Sequence, residues 1–407
     1  MAARRVAWLL CAAGLAVLAL VPAGIGWLAE RLLPPGAEIT TGWGAGHWQP
    51  LDYRRGWFAS EAVSRLVLEV DGQRREIELH HQVRHWPVSF DSLAHFDTRH
   101  ADDGQEGHAR TELLWSGATR SAIHLPPGLL DVSGDGAMHI ETGAGTAQLV
   151  TTPGGAVALT ARWPRAAGLG PSGALTIEAL EVFLDGTGAA ESVAGRIEAR
   201  RFGWQPRQGA GIAMDDPVLE LALSRDGNGL ADGQGVLTFR ALESAKTRTG
   251  PGRIGIQAAR LDPELLGRLV RMQRAGESDG LAWGLALLAL AQQRPMIRIE
   301  PLSVQTAEGP VDGQMDLGVR DPGSGRLVLD PNLLVLDARL VAPEPYARAW
   351  LTVALDLIQN TEPDGSNPEA VDALIRQFER LGWIERQADG RLLLSLKFRD
   401  GRLRGLR

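Results

Sequence analysis

The chain has 407 residues, of which 49 are glycine and 23 proline, with aromatics at 5% and hydrophobic residues at 44%. That length exceeds one ordinary domain, and the hydrophobic fraction supports a core, which excludes global disorder. A single cysteine excludes an internal disulfide framework and the usual zinc-finger spacings, and a formal charge of −7 argues against nucleic acid as a partner.

The N-terminus carries the clearest physical signal. Arg4 and Arg5 precede an uncharged run from Val6 to Ala29, which ends at Glu30 and Arg31. As a helix that run rises about 36 Å, enough to cross a hydrocarbon core of about 30 Å. Trp8 and Trp27 lie near its ends, where amphipathic rings favour the membrane interface. The arginine flank should stay in the cytoplasm, so residues 31–407 are expected on the far side. Val21-Pro22-Ala23 is an imperfect cleavage site, and Leu10 before Cys11 does not suit a lipoprotein. An uncleaved anchor over residues 1–30, meeting the membrane through residues 6–29, fits best.

The body is punctuated by eleven Asp-Gly dipeptides, from Asp71-Gly72 to Asp400-Gly401. Asp-Gly tolerates the positive φ angles of two-residue turns and marks hairpins when alternating apolar residues flank it. Leu66, Leu68 and Val70 precede the first, and Leu219, Leu221 and Leu223 precede Asp226-Gly227. Leu175 and Ile177, then Leu180 and Val182, precede Asp185-Gly186. This alternation predicts antiparallel strands with one buried face over residues 38–260.

Helical periodicity appears late. Asp262-Pro263-Glu264 starts one predicted helix and Leu281–Gln293 forms a second, very apolar one, giving a helical pair over 261–294. Strands return over 295–342, including Met296–Ile299, Leu302–Gln305, Gln314–Val319 and Leu333–Leu340. Residues 343–407 should hold two helices and a final hairpin. The second helix is capped by Asn367-Pro368-Glu369 and stopped by Gly382, with Val371, Leu374, Ile375, Phe378 and Leu381 on one face.

Motifs for chemistry are weak. All nine histidines lie between His47 and His139, and His81 and His85 would share a strand face, but a metal site needs three or four converging ligands. There is no Gly-x-Ser-x-Gly elbow and no phosphate-binding loop. The stretch Leu374–Arg391 has the outline of a winged helix but lacks a preceding helix-turn-helix and a basic face. No catalytic residue, metal ligand or cofactor is assigned.

Three short stretches carry a resemblance. Tyr53-Arg54-Arg55-Gly56-Trp57-Phe58-Ala59-Ser60, then His85-Trp86-Pro87-Val88, then an ending of Gly382-Trp383 and Asp400-Gly401-Arg402-Leu403, resemble the YdgA-like family of bacterial envelope proteins. Trp86 stands where that family has glycine, and the terminal asparagine is missing. The resemblance implies a protein of the bacterial inner membrane with a periplasmic body, and it brings no catalytic residues. The motif residues Tyr53, Arg55, Gly56, Trp57, Phe58, His85, Pro87, Gly382, Asp400 and Gly401 read as structural. Tyr53, Trp57 and Phe58 are expected to form a packing cluster.

The expected fold is α+β, predominantly antiparallel β: an N-terminal transmembrane helix, then an extended curved sheet with helices packed on it. The leading functional expectation is a non-enzymatic envelope protein that assembles, binds a partner or handles lipid on an apolar sheet groove. An envelope protein or a second copy are the other partners considered. The alternative is a periplasmic metal-dependent hydrolase that uses the histidine-rich N-terminal third.

Overall fold

A computed structural model describes residues 37–405 apart from 42–43, 58, 71–72, 85–91, 103–104, 115, 133–137, 188–191, 208–210, 227–228, 245–246, most of 263–279, 321–332, 350, 352–367 and 400. The predicted anchor, the turn at Asp71-Gly72 and the Asn367 cap lie outside the described residues. Among those described, strands dominate, every paired ladder is antiparallel, and no helix is long and apolar enough to cross a membrane. The chain divides into two compact units, one mainly residues 1–134 and 140–164, the other mainly residues 165–182 and 189–407.

The first unit is a meander. Strands β1 (Ala37–Thr41), β2 (Gly44–Arg55), β3 (Ala59–Val70), β4 (Gln73–Arg84), β5 (Ser92–Asp102), β6 (Gln105–Leu114) and β7 (Thr119–Leu125) each pair with the next. After β8 (Gly128–Val132) and β9 (Met138–Thr142), strand β10 (Gly145–Thr151) returns to pair with β7 and then with β11 (Val157–Gly170). Residues opposite each other in an antiparallel ladder share a face. The buried face is therefore built from Ser60, Ala62 and Ser64 of β3, His81 and Val83 of β4, Ser121 of β7, Ala147 of β10 and Ala161 of β11. These are small and hydroxyl-bearing side chains, and cross-strand bonds such as Thr111–Ser121 (2.8 Å) and Thr119–Thr151 (2.7 Å) satisfy the hydroxyls.

In the second unit β12 (Gly173–Gly186) pairs with β14 (Arg201–Pro206), which runs on through β15 (Ile212–Asp215) and β18 (Ala241–Ser244) to β19 (Thr247–Thr249). A longer ladder starts at β13 (Ser192–Glu198) and passes through β16 (Val218–Arg225), β17 (Ala231–Phe239), β20 (Gly252–Leu261), β21 (Met296–Thr306), β22 (Gly309–Val319) and β23 (Leu334–Pro343) to β25 (Arg391–Arg399). Short strands β24 (Ile384–Arg386) and β26 (Arg402–Arg404) flank β25.

The two ladders are joined by a crease. One residue in each of four neighbouring strands leaves regular geometry: Ala179 at φ 51°, Arg200, Asp216 at φ 48°, and Arg240. Register is kept across it, since Glu198 faces Val218 on one side and Arg201 faces Asp215 on the other. Hydrogen bonds continue through it, from Arg200 N–H to Glu178 O (2.9 Å), Asp216 N–H to Arg200 O (2.9 Å) and Arg240 N–H to Asp215 O (2.9 Å).

Two helices have full outlines: α1 (Gly280–Gln292) and α2 (Pro368–Arg380). Residues 344–349 are also helical, where a longer helix from residue 345 is predicted. Asp262 starts the helical segment after β20 as expected, its Oδ1 accepting from Leu265 N–H at 3.1 Å.

The Asp-Gly reading needs correction at three places. Asp226-Gly227 and Asp389-Gly390 do fall between paired strands, but Asp185-Gly186, Asp232-Gly233 and Asp312-Gly313 lie inside strands. Tertiary packing decides two of these. A Cβ on Gly233 would come within 2.9 Å of Leu223, and one on Gly313 within 2.9 Å of both Leu302 and Leu340, so glycine is there to make room.

Candidate functional site

The longer ladder of the second unit is two-faced. One register row runs Leu223, Gly233, Ala258, Ile297, Leu317, Leu336, Phe398, and the next runs Leu221, Gly235, Ile256, Ile299, Met315, Ala338, Leu396. Two residues further along come Leu219, Leu237, Ile254, Leu302, Gly313, Leu340 and Leu394, again without a polar member. On the opposite face the equivalent row reads Gln234, Gln257, Arg298, Asp316, Asp337, Lys397. Ion pairs stitch that side, including Arg298–Asp316 at 2.6 Å and Arg196–Glu220 at 2.6 Å. A β-bulge at Glu300-Pro301, between Ile299 and Leu302 and opposite Gly255, preserves this sorting, because the one inserted residue corrects the alternation against both neighbouring strands.

Burial varies along the apolar face. At one end Val311, Ala342 and Leu392 are buried, and α2 caps this end with Val371 and Ile375 in a cluster with Ile384 and Leu392. Ala347 and Leu351 pack on the same cluster. Away from that cap the face opens: Leu223 is 55% exposed, Ile256 46% and Leu334 45%. The Leu221 and Leu223 side chains lie over Gly235 and Gly233, which have no side chain to hold them up. A soluble monomer seldom leaves a large contiguous apolar patch open, so this face is the leading candidate site.

The crease gathers charge. Asp215, buried, meets Arg201 at 3.0 Å, Arg248 at 3.4 Å and Arg240 at 3.7 Å, while Arg201 also reaches Glu243 at 2.9 Å and Arg240 reaches Asp216 at 2.7 Å. Open cavities of about 400 and 320 Å³ lie beside Arg201 and beside Arg240 with Arg248. Each of these three guanidiniums is already matched by carboxylates, so the cluster reads as a brace for the crease.

The sequence motifs disperse over the chain. Tyr53 is half-buried opposite Ala62, and Arg55 is exposed opposite Ser60. A Cβ on Gly56 would sit 2.1 Å from the Ala59 carbonyl oxygen, so the β2–β3 connection admits only glycine there. Trp57, expected in a packing cluster with Tyr53, is 53% exposed, because this tight connection carries it to the surface. Phe58, His85, Pro87 and Asp400 lie outside the described residues. Gly382 ends α2 at φ 70°, with Trp383 N–H bonding Phe378 O at 2.8 Å and Gly382 N–H bonding Glu379 O at 3.0 Å. Gly405 returns against it, since a Cβ there would be 2.1 Å from Gly382 O, and Gly401 turns at φ 66° on the way. The C-terminal motif is thus brought together, and it closes the fold.

For the histidine-rich third, no group of three or more metal-ligating side chains occurs among the described residues. His80 points away from His81 and meets Glu78 at 3.2 Å. His81 is buried and shares a 2.6 Å hydrogen bond between its Nε2 and Ser64 Oγ. Burial, with a smaller contribution from His80, lowers its pKa to about 4.

No curated protein and no solved structure matches the chain. A family model described as bacterial protein of unknown function (DUF945) matches residues 5–404, and the chain belongs to that family.

Proposed function

We propose that this protein handles lipid, with the open part of the second unit's apolar face receiving acyl chains. The observation that carries the reading is the sorting of alternate residues along the long ladder into three successive register rows without a charged member, with α2 packed at one end and Leu223, Ile256 and Leu334 exposed away from it among the described residues. Acyl chains suit such a surface because it offers no hydrogen-bonding group to orient a polar ligand and asks only for apolar contact. The finer likeness to the YdgA-like envelope family and the apolar run at residues 6–29 agree with a body held at the bacterial inner membrane on its periplasmic side. Bound lipid would then come from the membrane beside it. No catalytic role is assigned.

The test is native mass spectrometry of the full chain released from detergent, beside a Leu221→Glu, Leu223→Glu double variant. Both leucines are exposed, so the charges should cost little stability. The expected result is phospholipid retained by the wild type and lost from the variant. A wild type without lipid sinks the reading, and equal retention by both places the lipid elsewhere, at the N-terminal run or an unrelated surface.

A further inference from the structure

The two ends of the first unit's meander differ. Strand β1 runs against β2, with Ala37 opposite Trp48, so the chain arrives at β1 from the end where β2 terminates. That end carries the β2–β3 connection, and Trp57 stands on it 53% exposed, brought out by the tight backbone at Gly56. Arg54 and Arg55 lie just before it, and Arg84 faces Ala59 on the next strand, all three exposed. Asp52 and Glu61 share this corner. Asp52 pairs with Arg54 at 3.0 Å, yet 79% of the Arg54 side chain stays open to solvent. The β4–β5 and β6–β7 connections leave the same end, and their sequences contain Trp86, Phe90 and Trp115. The β1–β2, β3–β4 and β5–β6 connections at the far end contain Trp43, Asp71-Gly72 and Asp103-Gly104.

We infer that this end of the first unit rests on a phospholipid surface, with Trp57 seated among the headgroups. The length of chain before β1 selects that occupant. From Trp48, β2 runs seven residues further to Arg55, about 23 Å as a strand. Seven residues back from Ala37 lies Glu30, at the end of the uncharged run Val6–Ala29, and that stretch reaches at most about 25 Å. An anchor formed by the run therefore holds the β2–β3 connection level with the bilayer surface. The residues there have the chemistry which that layer takes. An indole packs its ring against the upper acyl chains with its N–H among the headgroups, and guanidiniums pair with phosphates. The inference rests on the membrane-held body of the proposed function, not on the lipid-receiving sheet, and adds which end of the first unit faces the membrane.

The experiment places one environment-sensitive NBD dye at a time on the full-length protein in phosphatidylethanolamine–phosphatidylglycerol vesicles. The labelled positions are the native Cys11 and, in a Cys11→Ser background, Trp57→Cys or Ala144→Cys, the latter exposed at the far end of the meander. Circular dichroism first confirms each fold, and Arg55→Cys replaces Trp57→Cys if that variant does not fold. The label at 57 should emit further to the blue and several-fold more brightly than the label at 144, and lipids spin-labelled at the headgroup should quench it. A label at 57 that behaves like the one at 144 overturns the inference. So does blue emission at 57 that spin-labelled lipid does not quench, which would assign the connection to a second copy. Cys11 quenched by spin labels deep in the acyl chains, with position 57 in water, sinks this inference and keeps the anchor. Cys11 in water, with position 57 quenched at headgroup depth, sinks the anchor and keeps the docking.

Discussion

Ser64 and His81 look, as a pair, like a nucleophile beside its base, and their hydrogen bond is as short as such a pair requires. Burial decides against that role: Ser64 is 1% exposed, among Ser60, Ala62 and Val83, with no space for a substrate. The pair instead satisfies two polar groups inside a buried face of small and hydroxyl-bearing side chains. It also makes the first unit sensitive to acid. His81 titrates near 6.5 when unfolded and about 4 when folded, so below pH 6.5 the unfolded chain binds a proton that the folded chain refuses. Stability is full above pH 6.5, falls as the pH drops, and stops falling near pH 4, by up to about 3 kcal/mol in all. Hydrogen exchange of peptides covering residues 59–84, followed from pH 7 to pH 4, should show loss of protection in the wild type and a flatter profile in His81→Gln. Equal profiles would contradict the assignment.

Among the elements, the helices and hairpins were the most legible. Asn367-Pro368-Glu369 and Gly382 bracket α2 in the sequence, and the structure runs it from Pro368 to Arg380. Local chemistry decides such ends, because caps and dipole partners act within one turn. Its interior follows from its apolar stripe. Replacing Ile375, the best buried side chain of that cluster at 1% exposure, with alanine should cost about 2–5 kcal/mol. Urea unfolding would measure the loss, and residues 384–394 beneath the helix should lose exchange protection first. Glu344 strengthens the same corner. Burial pushes its carboxyl up, but hydrogen bonds from Arg348 and Arg386 outweigh this and hold it below the usual range. Asp-Gly was less reliable as a turn signal. At Asp312 the carboxylate accepts from Ser303 Oγ across the strand at 2.9 Å, and neighbouring leucines explain the glycine beside it. No window of a few residues contains those leucines, so the turn reading could not be rejected from the sequence.

On the scale of the molecule, the antiparallel β character was readable from alternation, while the candidate site was not. Each strand shows which of its own residues are apolar, but the apolar face exists only once the register of eight strands is fixed. Its bulge at Glu300-Pro301, opposite Gly255, is set by pairing between residues more than forty positions apart. The crease did leave a trace. Apolar positions step from Leu175 and Ile177 to Leu180 and Val182, and the structure puts Ala179 at positive φ in the gap. An odd step likewise separates Phe239 from Leu242, Met214 from Leu219 and Ile197 from Phe202, three residues in the first pair and five in the others.

That shared step limits how the chain can change in length. A hairpin loop can gain or lose a residue and disturb only its own tip. At the crease, removing one residue from a single strand would slip its register on one side and turn every side chain beyond it to the wrong face. Inherited deletions should therefore be tolerated between β16 and β17 and rejected at Arg200 or Asp216. A scan of single-residue deletions, read by soluble yield and circular dichroism, should find Asn228 dispensable and Arg200 not. Equal tolerance at both would mean that the four strands are not locked together.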